Sequence, residues 1–129
     1  MSHEIVVEFR GDHVYARHTG AASMAIVRDL LGRIVAACDE HRCYNILGES
    51  DPANNISVLD AFAHAALWLK MGLTMNHRVA WVNHNPKVAG TFEFIENVLR
   101  NRCLGNGHVF KNMAEARKWL LERPDPSVQ

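Results

Sequence analysis

The thirteen residues from Val109 to Leu121 constrain the fold most. Val109 and Phe110 are β-formers that follow a Gly105-Asn106-Gly107 turn, and Asn112 stands where its side chain can cap the free amides of a helix. Ala116, Trp119 and Leu120 then fall on one helical face. A strand this short and a helix of little more than two turns are not stable alone. The preceding chain must therefore supply a sheet for them to dock on.

That sheet is legible from the N-terminus onward. Ile5, Val7 and Phe9 alternate with polar residues up to Gly11-Asp12, and the alternation resumes at Val14, Ala16 and His18. A two-residue hairpin loop pairs Phe9 with Val14, Val7 with Ala16 and Ile5 with His18, leaving Glu8, Arg10, Tyr15 and Arg17 on the other face. From Ala22 to His41 the period becomes helical, with Met24, Val27, Ile34 and Cys38 on the apolar stripe. Tyr44–Gly48 reads as a strand and Glu49–Asn55 as a polar loop. Ser57 caps a second helix that runs to Met71 before Gly72. Arg78–Val82 is a near-continuous apolar strand, the mark of a position inside a parallel sheet, and Lys87–Cys103 is a third helix with Val88, Phe92, Ile95 and Leu99 at helical spacing.

The order predicts an α/β domain over residues 1–123 with an N-terminal β-hairpin, five strands and four helices, and a frayed tail at 124–129. Its expected core includes Val79, Trp81, Phe92, Ile95, Phe110, Trp119 and Leu120, with Cys38 and Cys103 as buried thiols.

Charge and motif content narrow the function classes. Fourteen basic residues offset fourteen acidic ones and no basic stripe is interleaved with aromatics, so nucleic acid is not an expected partner. The N-terminal residues lack the basic start and apolar run of a signal peptide, and no apolar segment approaches the roughly 20 residues of a membrane span, so a cytoplasmic location is expected. Three cysteines without a Cys-x-x-Cys spacing, and eight histidines without a His-Glu-x-x-His motif, give no reason to expect a disulfide frame, a metal site or a cofactor.

The closing segment, Asn101-Arg102 then Val109-Phe110, Glu115-Ala116 and Trp119-Leu120, resembles that of the SpoIIAA-like family related to STAS (anti-sigma-factor antagonist) domains, as does Arg78–Val82 ahead of the third helix. The resemblance extends over about residues 4–122. It implies strands in sequential order within a β-α superhelix, and a non-catalytic regulatory or protein-interaction role. STAS antagonists carry a phosphorylatable serine in an Asp-Ser-Ser/Thr-Gly motif. Here the region reads Asn54-Asn55-Ile56-Ser57-Val58-Leu59, without the acidic residue and the glycine, and Ser57 is expected to serve as a helix cap.

Ligands of parallel sheets bind at the carboxyl ends of the strands. There the candidate residues are Ser50, Asp51, Asn54, Asn55 and Ser57 from one loop, and Asn83, His84 and Asn85 from its neighbour. Ser57, His84 and Asp51 are the types an acyl-transfer site uses, but no Gly-x-Ser-x-Gly elbow accompanies them. The second helix is apolar almost all round, interrupted by Asp60, His64 and Lys70. One face must meet the sheet, and the other calls for a further cover. A homodimer or protein partner held by Phe62, Trp68, Leu69 and Met71 is the first expectation, with Trp68 as anchor. A small apolar or anionic ligand is the alternative.

Overall fold

A computed structural model describes residues 2–74, 76–101 and 106–122. The elements run β1 (His3–Phe9), β2 (Val14–Gly20), α1 (Met24–His41), β3 (Asn45–Pro52), α2 (Val58–Lys70), β4 (Arg78–Asn83), a single 3-10 turn (Pro86–Val88), α3 (Ala89–Asn101), β5 (Gly107–Phe110) and α4 (Met113–Leu121). The five strands form one mixed sheet in the order β1-β2-β3-β4-β5, with β1 antiparallel to β2 and every later pair parallel. No helix among the described residues is long and apolar enough to cross a membrane. Cys103, Arg102, Gly105 and the tail at 124–129 lie outside the described residues.

The hairpin follows the sequence pattern. Phe9 pairs with Val14, Val7 with Ala16 and Ile5 with His18. The Arg10 amide donates to the His13 carbonyl at 2.9 Å, closing a two-residue loop in which Gly11 adopts φ +91°, a conformation glycine takes without steric cost.

Strand alternation divides the core into two layers. On one face Val14, Ala16, Ile46, Val79 and Trp81 pack with Leu30, Leu31, Ile34 and Cys38 of α1, with Leu67 and Trp68 of α2, and with Phe92 and Leu99 of α3. On the other, Leu47, Ala80 and Val82 meet Ala116 and Leu120 of α4. Asn112 caps α4 by accepting from the Glu115 amide at 2.9 Å, as the sequence implied. Trp119 departs from expectation. Leu120 is fully buried, but Trp119 is only half-buried at the rim, where the Arg78 guanidinium lies 3.7 Å over its ring.

Two boundaries also differ. β3 continues through Glu49, Ser50, Asp51 and Pro52, residues the sequence assigns to a loop, because β2 and β4 pair with it on both sides, His18 and Asn83 each opposite Ser50. Ladder bonds from two neighbours override low strand propensity. Helix three starts later than expected, since Asn85 accepts from the Lys87 amide at 3.0 Å and Pro86 opens a 3-10 turn before Ala89.

Gly48 fixes how β3 meets β4. It lies opposite Trp81, and a Cβ on Gly48 would overlap the indole ring. The flat contact lets Trp81 Nε1 donate to Ser50 Oγ at 2.9 Å. Gly48→Ala is therefore expected to lower stability by about 1 to 3 kcal/mol through overpacking. Urea denaturation checks this, and an unchanged midpoint would mean that Trp81 does not lie against Gly48.

Candidate functional site

Most of the polar residues at the carboxyl ends of the strands spend their hydrogen bonds on the loops and helix ends around them. Asn54 clamps the approach to α1, its Oδ1 accepting from the Ala22 amide at 2.9 Å and its Nδ2 donating to the Ala22 carbonyl at 3.0 Å. Asn55 Oδ1 accepts from the Thr91 hydroxyl at 2.6 Å, tying this loop to α3. Asn83 holds both the amide and the carbonyl of Asn85, while Asn85 Nδ2 donates to the Pro52 carbonyl at 2.8 Å. Ser57 accepts from the Asp60 amide at 3.1 Å and caps α2. Asp51 is exposed on β3.

His84 turns to Glu49, Nε2 to Oε1 at 2.8 Å, and Tyr15 donates to the other oxygen of that carboxylate. Burial and the Glu49 hydrogen bond push the Tyr15 phenol up to about 12. Burial acts to raise Glu49 as well, but hydrogen bonds from Tyr15 and His84 outweigh it and hold the carboxyl below its ordinary value. Ser57 and His84 are thus engaged separately, one with a helix amide and the other with Glu49. The sequence-derived acyl-transfer set has no common hydrogen-bond network.

Helix α2 divides the four residues expected at its outer face, two turned inward and two outward. Ala61, Ala65, Leu67 and Trp68 are buried, and Trp68 is 9% exposed. It packs in the core and is unavailable as an interface anchor. Met71 is also turned inward, packing on that core with its methyl near Gly32 of α1. The physical reason is volume. Ala61 and Ala65 are small enough to let α2 close on Ile95 of α3, and the large indole of Trp68 fills space toward the sheet. Of the expected interface set only Phe62 and Leu69 face outward, at 45% and 48% exposure, joined by Val58 at 71% and Leu59 at 80%. Phe62 meets Phe94 of α3 edge to face, ring centroids 5.2 Å apart.

Two hollows lie between the sheet and this helical layer. One runs from Leu73, Thr74 and His77 along Val79 and Trp81 to Glu96, Leu99 and His108. The other opens toward the strand ends, bounded by Ile26, Leu30, Ser50, Asn54, Asn55 and Val88. They share a wall made of His64, Trp68, Trp81, Phe92 and Ile95, have cavity volumes of about 80 and 70 Å³, and open to solvent at their mouths. Of the eight polar residues placed at the strand ends by the sequence, Ser50, Asn54 and Asn55 border this space.

The walls are apolar but carry buried nitrogens without partners: His64 Nδ1, Trp68 Nε1 and His77 Nε2. His64 stacks on Trp68 one turn away, centroids 6.2 Å apart and planes within 11°. Burial pushes the His64 imidazole down to about 4, and burial also lowers His77. The His77 Nδ1 accepts from the Thr74 amide at 3.0 Å, which leaves the proton of the neutral ring on Nε2. Glu96 is engaged at the far end, accepting from the Val109 amide at 3.0 Å and pairing with Arg100 at 3.4 Å.

Sequence reasoning did not single out His64 or His77 as site residues. A signal for His64 exists: it stands three residues after Ala61 and four before Trp68, on the helical face that turned out to be the inner one. His77 carries none, because its placement depends on the turn after α2. No protein-family model, curated protein or solved structure matches this chain.

Proposed function

We propose that the domain binds a small, largely apolar molecule between its helical layer and its sheet, acting as a binding module and not as a catalyst. The observation that carries this reading is the coincidence of apolar hollows with three orphaned buried nitrogens in the residues that line them. A core packed for stability alone closes such space and pairs such groups. A binder needs a pocket lined by α2, and α2 lines both hollows through His64 and Trp68. The element order and sequential sheet support placing the chain with SpoIIAA-like (STAS-like) domains, for which non-catalytic binding in the cytoplasm is the expected role. Native mass spectrometry of freshly purified protein tests the reading. Retention of a small molecule that is released on unfolding is the expected result, and a bare polypeptide mass together with failure to bind a neutral apolar dye would overturn it.

A second reading is favoured by the outer face of α2, where Val58, Leu59, Phe62 and Leu69 leave a stripe of apolar side chains in water. Self-association is the role the sequence first suggests, and this stripe contains Phe62 and Leu69 of the four residues named for it. Light scattering is then expected to give a dimer at high micromolar concentration and a folded monomer for Leu59→Glu. A monomeric wild type would remove this second reading and leave the pocket untouched.

A further inference from the structure

We infer that the hollow under α2 selects an uncharged apolar molecule bearing an acceptor oxygen of the carbonyl type, which takes a hydrogen bond from Trp68 Nε1–H. The inference rests on the binding reading above and specifies its ligand. An indole N–H can only donate, and Trp68 is 9% exposed with no partner for that donor. A buried donor without a partner is costly, so a guest supplying an acceptor gains more than its apolar contacts alone provide. His77, 8% exposed and on the wall of the same hollow, offers a second donor, because its Nδ1 is held by the Thr74 amide and its Nε2–H is unpartnered.

The sign of the local charge excludes the commonest acceptor-bearing amphiphile, a fatty-acid carboxylate. Among the described residues no lysine or arginine lines either hollow, His64 is neutral near pH 7, and the one charged side chain on the wall is the Glu96 carboxylate. An anion there would be desolvated with no cationic side chain on the lining to receive it, since Arg100, the guanidinium next to that wall, is already paired with Glu96. A ketone or ester oxygen meets the same donors without that penalty. A plain hydrocarbon fills the space but leaves Trp68 Nε1–H unmatched.

Displacement of the neutral dye Nile red by three ten-carbon probes at pH 8 tests this. 2-Decanone is expected to displace the dye at roughly tenfold lower concentration than either decane or decanoate, the size of effect one buried hydrogen bond carries. In Trp68→Phe the advantage of the ketone over decane is expected to shrink several-fold while decane itself is little changed. Decanoate competing as well as the ketone, or decane matching the ketone in the wild type, would overturn the inference while leaving the binding reading standing. If neither the dye nor any probe binds, both fall. The wild-type series decides between these outcomes without the variant.

Discussion

Trp68→Ala is expected to lower stability by about 3 kcal/mol, near the bottom of the range for truncating a buried tryptophan. Trp68 packs with Leu67, Leu73 and Trp81 in the larger core cluster and forms part of the wall shared by the two hollows, so its loss merges them into one space that the helices can only partly close. The cost falls at the low end because the unpartnered indole N–H leaves with the side chain, and its desolvation penalty with it. Urea denaturation gives the value. A change below about 0.5 kcal/mol, the scale of a surface substitution, would place Trp68 outside the core.

His64 makes stability depend on pH in a direction fixed by its burial. With the imidazole at about 4 in the folded chain and near its ordinary 6.5 when unfolded, both states are neutral above pH 6.5 and the group has no effect there. As pH falls from 6.5 toward 4 the unfolded chain takes up a proton that the folded chain refuses, and stability declines. Below about 4 the loss levels off. Between pH 7.5 and pH 4.5 the wild type is therefore expected to lose about 2 to 3 kcal/mol more than His64→Gln, which cannot gain that charge. His77, also lowered by burial, adds to the decline in both proteins and cancels in the comparison. Parallel curves for wild type and variant would show that His64 is solvated.

The parts of the fold that sequence alone specifies are those where local pattern and tertiary demand coincide. The hairpin register follows from period-two alternation around Gly11-Asp12, and the caps at Asn112 and Ser57 follow from side chains that can accept from a helix amide. Ser50 was misread because a polar residue in a polar run gives no sign that two flanking strands will pair around it. Its buried hydroxyl serves Trp81. Helix α2 fails for a related reason. Leu59, Phe62 and Leu69 are as apolar as Ala61, Ala65 and Trp68, so hydrophobic period cannot say which line faces in. Small residues that permit close approach to α3 decide it, together with a large one that fills the gap.

The candidate site was legible in outline only. The strand ends and the second helix do meet at one hollow, but most of the asparagines expected to greet a ligand are consumed in holding loops, and the lining residues with unpartnered buried nitrogens are a tryptophan and two histidines. Side chains of these types are ordinary core members in a sequence. They become candidates only when their hydrogen-bond partners are counted in three dimensions.

Methyl-resolved NMR with 2-decanone tests the central claim most directly, because it reports where a guest sits. The hollows border Leu73, Val79 and Ile95, whereas Leu120 and Val82 lie in the α4 layer and Leu59 stands on the outer face of α2. Saturable shifts at Leu73, Val79 and Ile95, with Leu120, Val82 and Leu59 unmoved, are the expected result. Shifts confined to Leu59 and its exposed neighbours, or none at millimolar ketone, would contradict an internal site.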